Sequence, residues 1–141
     1  LEVFKKLFEL DNSYALTIIG DGPDRNIVEQ FIATHNLPVR LLGRISHLAV
    51  VDQLFKHDLY LHSSTKESFS YALLEAKLAG LTTFAYEGLQ VPAEFIDIKI
   101  SNYNEDQWFD AIINNNSIPG KIDSNKYTIE AMSSNTITLA G

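Results

Sequence analysis

The stretch HSSTKESFSYALLEAKLAGL, His62 to Leu81, runs from a polar loop into a helix that ends on a glycine. DLYLHSS (Asp58 to Ser64) leads into it as a short apolar strand, and LTTFAY (Leu81 to Tyr86) leaves it as another. The helix reaches about Ala79, and Gly80 supplies the left-handed residue that closes it. Strand, crossover helix and strand in this order make a parallel βαβ unit, because parallel neighbours cannot be joined by a tight hairpin.

The same alternation extends outward. LEVFKKLFEL carries Val3, Phe4, Leu7, Phe8 and Leu10 at helical spacing. YALTII (Tyr14 to Ile19) is a buried strand that ends in the turn GDGP. Pro23 suits a first helical turn, and Ile27, Val28, Phe31 and Ile32 continue the helical period to about His35. VRLLG (Val39 to Gly43) is a strand. Ser46 caps a helix with Leu48, Val51, Leu54 and Phe55 on one side. A weak strand lies near Ile98 to Ile100, and Asn104 caps a helix over Glu105 to Ile113 that carries Trp108, Phe109, Ile112 and Ile113. These elements predict one α/β domain over residues 1–141: a Rossmann-like parallel sheet with helices on both faces. Its core spans 1–113, and 114–141 is a loop with a short final helix in YTIEAMSS.

A chain of 141 residues with 45% hydrophobic content can bury one core. The formal charge of −7 argues against a nucleic-acid-binding face, which needs clustered Lys and Arg. Without cysteine there is no disulfide, no thiolate metal site and no cysteine nucleophile. No apolar run approaches the ~20 residues that span a bilayer. The chain opens at Leu1 inside a helix, so a fragment of a longer protein is expected.

In sheets of this kind ligands bind outside the carboxyl ends of the strands. The loops to watch are therefore GDGP, the turn at Gly43 and Arg44, HSSTKESFS, and the segment after Tyr86. Within them Glu67 and Glu75 bracket an apolar stretch. With a helix start near Ser68 to Ser70, Glu67 sits at its mouth and Glu75 about two turns in, up to ~12 Å along the axis. Two carboxylates so placed can accept hydrogen bonds from hydroxyls at two points of one extended ligand. Between them the first helical turn offers unpaired N–H groups to a phosphate. A buried ionised side chain among apolar neighbours needs a partner, so Glu75 has a ligand or a salt bridge to Lys77 or Arg44, or else lies exposed at the helix edge.

These residues carry a resemblance. HSSTKESFSYALLEAKLAGL resembles the PS-x-x-EGFGL-x-x-LEA-x-A-x-G signature of glycosyltransferase family 4 and its GT-B relatives, matching at Ser63, Glu67, Phe69, Leu74, Glu75, Ala76, Ala79 and Gly80. LTIIGDGP resembles the strand and G-x-GP turn of that family, and VRLLGRI its V-x-FLG-x-V segment, in the same order. The likeness covers about Leu16 to Ile96. It implies the C-terminal, nucleotide-sugar-binding half of a retaining enzyme of the GT-B fold. Glu67 would act as the catalytic-centre acid that contacts the transferred sugar, and Glu75 would hold the ribose hydroxyls. Amides around Ser68, Phe69, Ser70 and Tyr71 would cradle the diphosphate, with Lys66 nearby. Gly43 and Arg44 would border the base, and Gly20 and Gly22 would shape the cleft wall. The implied reaction moves a hexose from a nucleoside-diphosphate sugar to a hydroxyl acceptor in polysaccharide, lipopolysaccharide or glycolipid synthesis. It uses no metal and no cofactor beyond that substrate. The acceptor glycan or lipid would sit on an N-terminal domain outside this chain, so the fragment alone is expected to be inactive. The resemblance places the enzyme in the cytoplasm, with peripheral association at the inner face of a membrane, and without nucleic-acid partners.

The departures from the signature are Ser68 and Ser70 where the family has glycine, which narrows the approach to the phosphates, and His62 where it has proline. The family's first strand, central in a doubly wound sheet, is expected just before Leu1, followed by a loop with an Arg and a Lys. Two further readings stand beside the enzyme: a non-catalytic sugar-nucleotide-binding or scaffold module, and a nucleotide-sugar epimerase of the same architecture. The four histidines, His35, His47, His57 and His62, lack metal-ligand spacing. His62 alone lies at a strand end beside the proposed site. Lys66 and Arg44 read equally well as ordinary solvated charge. Ser63, Ser64 and Ser70 have no His–Asp partner in a hydrolase order.

Overall fold

The computed structural model describes residues 1–101 and 104–115. Tyr103 and the short helix expected in YTIEAMSS lie outside the described residues. In chain order the described elements are α1 (Glu2–Leu10), β1 (Leu16–Ile19), α2 (Arg25–His35), β2 (Val39–Gly43), α3 (His47–Leu54), β3 (Leu59–His62), α4 (Tyr71–Leu78) and β4 (Thr82–Tyr86). A 3₁₀ turn (Ala93–Phe95), β5 (Ile98–Ile100) and α5 (Glu105–Ile113) follow. Every strand pairing is parallel, as the alternation requires: β1 with β2, β3 with β4, and β4 with β5.

The sheet is parted. β1–β2 form one piece and β3–β4–β5 the other, with no ladder between β1 and β3. Between those two edges lies a cavity of about 760 Å³. Leu16 to Ile19 line one side and Leu59 to His62 the other; Phe4 and Leu7 border it on one face, Val50 and Leu54 on the opposite face. At one point the gap is bridged. The Nδ1–H of His57 donates to the carbonyl of Gln53 (2.6 Å), which leaves Nε2 to accept from the Thr17 hydroxyl (2.9 Å).

The core follows this division. Phe84, Ala85, Leu73, Phe95, Leu81 and Ile100 are almost wholly buried, and all belong to the β3–β4–β5 side. α1 and α5 cover one face of that sheet through Leu7, Trp108 and Ile112, and α4 covers the other through Leu73, Leu74 and Ala76. Helices on both faces are therefore as the alternation predicts. On the other side no residue of α2 is buried, and β1 is at most half-buried. With an unfilled edge beside it, β1 has nothing on which to close a core.

Local chemistry sets the helix ends. The Ser46 hydroxyl accepts from Ala49 N–H (3.2 Å), and the Asn104 side chain accepts from Asp106 N–H (2.7 Å), so both predicted caps form. Pro23 lies outside α2, whose cap is Asp24. The apolar face predicted for α3 is not all inward: Leu48 is 80% exposed and Phe55 69%. Those two project past the short helix's contact with α4, where only Leu54 reaches full burial.

α4 is tied down by charge as well as by apolar burial. Lys77, predicted as a partner for Glu75, is instead buried against Asp97 (2.6 Å). That carboxylate also accepts from Thr83 N–H (2.9 Å) and from the Thr83 hydroxyl (3.1 Å). The pair locks α4 to β4 and to the approach to β5.

Candidate functional site

β3 ends at His62, and the loop 63–69 carries the chain over to α4, so this loop lies at the carboxyl edge of the parallel sheet. Phe69 anchors it by edge-on contacts with Phe95 (5.3 Å) and Tyr71 (5.2 Å). The Glu67 carbonyl accepts from Gln90 N–H (3.1 Å), which ties the loop to the segment after β4. Ser64 donates to the carbonyl of Lys66 (3.1 Å). Gly88 leaves room for the Tyr86 ring, which would have to move aside for any side chain there. A shallow hollow is lined by Thr65, Lys66, Glu67, Ser68, Gly88 and Gln90.

Ser70 is the N-cap of α4, and its buried hydroxyl accepts from Leu73 N–H (3.2 Å). The side chain expected to narrow a phosphate path is thus engaged by the helix itself. Tyr71 and Ala72 stand in the first turn, where the helix has no acceptor for their N–H groups. Glu75 is the fifth residue of α4, about one turn in rather than two.

Glu75 is partnered, though by neither residue considered for it. Its Oε1 lies 2.7 Å from Nε2 of His47 at the start of α3. The carboxylate keeps 27% exposure and borders the large cavity with Tyr60, His62, Ser63, Ser64 and Ala72. Glu67 borders the shallow hollow instead. The two acids therefore do not share one hollow; they flank the α4 start from either side. Both carboxylates still act on Tyr60. Burial first, then the charge of Glu75, then that of Glu67, push its phenol up to about 12. Tyr60 is accordingly a neutral hydroxyl donor at any physiological pH.

Alternation along β3 puts Tyr60 and His62 on the same face. The Tyr60 hydroxyl lies 3.3 Å from Nδ1 of His62. The imidazole is buried, and its Nε2 lies 3.6 Å from Glu67 Oε1, beyond hydrogen-bond length, with no other partner. Burial lowers the His62 pKa from its ordinary value, and the nearby Glu67 charge opposes that shift without reversing it.

The glycine turns sit at the ends of β1 and β2. Gly20 N–H donates to the Gly43 carbonyl (2.7 Å), and both residues take positive φ, 121° and 65°. Gly22 N–H donates to Asp21 (2.9 Å), and Arg44 is exposed. None of Gly20, Gly22, Gly43 and Arg44 lines either hollow. Glu67, Lys66 and Ser68, singled out together in the sequence, line one hollow, whereas His47 and Tyr60 were not singled out beside them. The helix packing that delivers His47 to Glu75 leaves no local trace. Tyr60 could have been found from its strand register with His62.

Among the described residues no group of three or more His, Cys, Asp or Glu could hold a metal ion. Nor is any described helix long and apolar enough to cross a membrane.

Parallel strands, alternating helices and a loop-to-helix site at the strand ends define an α/β Rossmann-like domain of the GT-B type. Two solved structures share its fold. The GtfA/B complex superposes with a TM-score of 0.67 at 21% identity, over 79% of this chain and 24% of that one. The pneumococcal O-GlcNAc transferase GtfA, in complex with UDP and GlcNAc, gives 0.64 at 24% identity, over 78% and 23%. The profile of the family described as "Glycosyl transferases group 1" matches residues 1–113, and the chain belongs to that family. Among curated relatives, the phosphatidylinositol N-acetylglucosaminyltransferase GPI3 subunit of Saccharomyces cerevisiae (strain ATCC 204508 / S288c) is 41% identical over 66 residues, 45% of this chain. The 2-deoxystreptamine N-acetyl-D-glucosaminyltransferase of Niallia circulans is 35% identical over 83 residues, 57% of this chain. The matches cover 15% and 21% of those two proteins, so the chain spans a small part of their length.

Proposed function

We propose that this domain holds the nucleotide-sugar donor of a retaining glycosyltransferase that transfers N-acetylglucosamine from UDP to a hydroxyl acceptor. The observation that carries the reading is the α4 entrance. Glu67 precedes it, Glu75 lies one turn inside it, and first-turn amides stand between them in a chain of the group 1 family. Glu67 takes the hexose hydroxyls, Glu75 the ribose diol, and the amides near Tyr71 the diphosphate, with Lys66 adding positive charge. Stabilising the leaving diphosphate supplies most of the rate. No metal or further cofactor enters this scheme.

The choice of sugar is supported by relatives whose names share N-acetylglucosamine while their acceptors differ. A common donor with changing acceptors fits a domain that binds the donor, with acceptor choice made elsewhere in the enzyme. A lipid acceptor fits the phosphatidylinositol in the names of those relatives, and the enzyme would meet it at the cytoplasmic face of a membrane; polysaccharide and lipopolysaccharide acceptors carry the same hydroxyl chemistry.

The experiment is calorimetry with UDP-N-acetylglucosamine and GDP-sugars on the full-length protein, joined to a transfer assay. Glu67→Ala and Glu75→Ala should each sharply reduce transfer. Unchanged donor affinity and activity in both variants would remove the assignment. Donor binding without transfer would favour the scaffold reading, and a changed sugar without an acceptor would favour the epimerase.

A further inference from the structure

Tyr60, His62 and Glu67 stand in line, with separations of 3.3 Å and 3.6 Å. We propose that Tyr60 and His62 form a positioning relay that holds the Glu67 carboxylate in the orientation that receives the hexose. The proposal rests on the donor-site reading above and adds to it two residues that touch no substrate.

The argument begins with a buried nitrogen that lacks a partner. His62 is only 8% exposed, and Nε2 is one of two buried side-chain polar atoms left unpaired among the described residues. Leaving such an atom unpaired costs stability, and a site that keeps one has a use for it. The tautomer follows from its neighbours. Nδ1 faces the Tyr60 hydroxyl, which keeps its proton and donates. Nε2 faces a carboxylate, which can only accept. Both contacts are satisfied by the same neutral form, with the proton on Nε2. The opposite form would set an imidazole lone pair against Glu67.

Glu67 itself sits on a loop whose backbone is fixed by Gln90 and Phe69, and its side chain is 35% exposed. A small rotation shortens the 3.6 Å contact to a hydrogen bond and sets one oxygen toward His62. The other oxygen is then presented outward, toward the hexose. The charged and titratable groups facing the ring are Glu67 from the loop and Tyr60 from β3. Glu75 on α4 acts on the pair through Tyr60 and is itself held by His47 of α3. This is the arrangement by which a partner fixes a ligand-binding side chain without meeting the ligand.

The test uses the full-length protein and two probes, UDP-N-acetylglucosamine and UDP. Their affinity ratio isolates the hexose contribution and needs no acceptor. Glu67→Ala should lower that ratio about tenfold and leave UDP binding intact. If it changes neither, the donor-site reading fails. If it has this effect while His62→Phe leaves the ratio unchanged, only the relay fails. The relay requires His62→Phe to lower the ratio by a similar factor, with no further loss in the double variant. His62→Gln, which returns an N–H donor near the position of Nε2, should recover most of it. Nitrogen-15 spectra of the wild-type imidazole should show the proton on Nε2; a proton on Nδ1 overturns the relay. Should His62→Phe fail to fold, Tyr60→Phe decides: a lowered ratio with a mixed tautomer supports the relay, and an unchanged ratio overturns it.

Discussion

Glu75 Oε1 and His47 Nε2 lie 2.7 Å apart, joining α4 to the start of α3. The acid on a largely apolar helix is therefore held before any ligand arrives. A ribose diol that takes Glu75 must displace or share this contact. His47 is 69% exposed, so the pair contributes little to stability, under about 1 kcal/mol. His47→Ala should accordingly leave the melting temperature nearly unchanged and strengthen UDP binding a few-fold by calorimetry. Weaker binding would instead make His47 part of the ligand's surroundings.

A different outcome is expected for Lys77, whose side chain is 1% exposed and paired with a 10% exposed Asp97. Removing the lysine leaves a buried carboxylate without its counter-charge. Lys77→Met should cost about 3–5 kcal/mol in urea unfolding, several times the loss from His47→Ala. A loss below that of His47→Ala would mean that Asp97 reaches water when the lysine is gone.

How much of this was legible in the sequence divides along the same lines. Short apolar strands, the caps Ser46 and Asn104 and the glycine after α4 are local signals, and all of them appear in the structure. Glu67 with Lys66 and Ser68 is also local, because one loop carries all three. The His47–Glu75 contact and the buried Lys77–Asp97 pair join residues far apart in the chain. Charge alone could not say which acid each base would choose. Even the exposure of Leu48 and Phe55 has this origin: helical periodicity shows that an apolar face exists, while its burial depends on what packs opposite.

Acidity should read out His62 directly. Burial holds its pKa below the ordinary 6.5, so the unfolded chain binds more protons as the pH drops beneath that value. The neutral imidazole's contribution is fully present above pH 6.5 and is lost as pH falls toward the folded value. Between pH 7 and pH 5, wild type should therefore lose more stability than His62→Phe in urea titrations. A wild type that gains on the variant would show that Glu67 outweighs burial. Tyr60 has the opposite sign: its contribution is intact below the ordinary 10.0 and lost as pH rises through about 12. Tyr60 should thus ionise late in an ultraviolet titration, and Tyr60→Phe should remove that step.

The parted sheet makes the last prediction. Two parallel pieces expose facing edges across a cavity of about 760 Å³, and unpaired edges of this kind seek a strand. Leu1, at the head of α1, lines the same cavity. We propose that in the full-length protein a further strand, running parallel to β1 and β3, occupies this slot. Its backbone would satisfy both edges, and its side chains would complete the half-buried core around Ile18 and Leu61. Hydrogen exchange can decide this, because pairing protects amides that an open edge leaves to water. Amides of β1 and β3 should exchange slowly in the full-length protein and quickly in residues 1–141 alone. The isolated stretch should also self-associate, since its bare edges have only each other to pair with. Equal protection in both, with a monomeric isolated chain, would mean that the two sheet pieces close directly on one another and that no strand belongs between them.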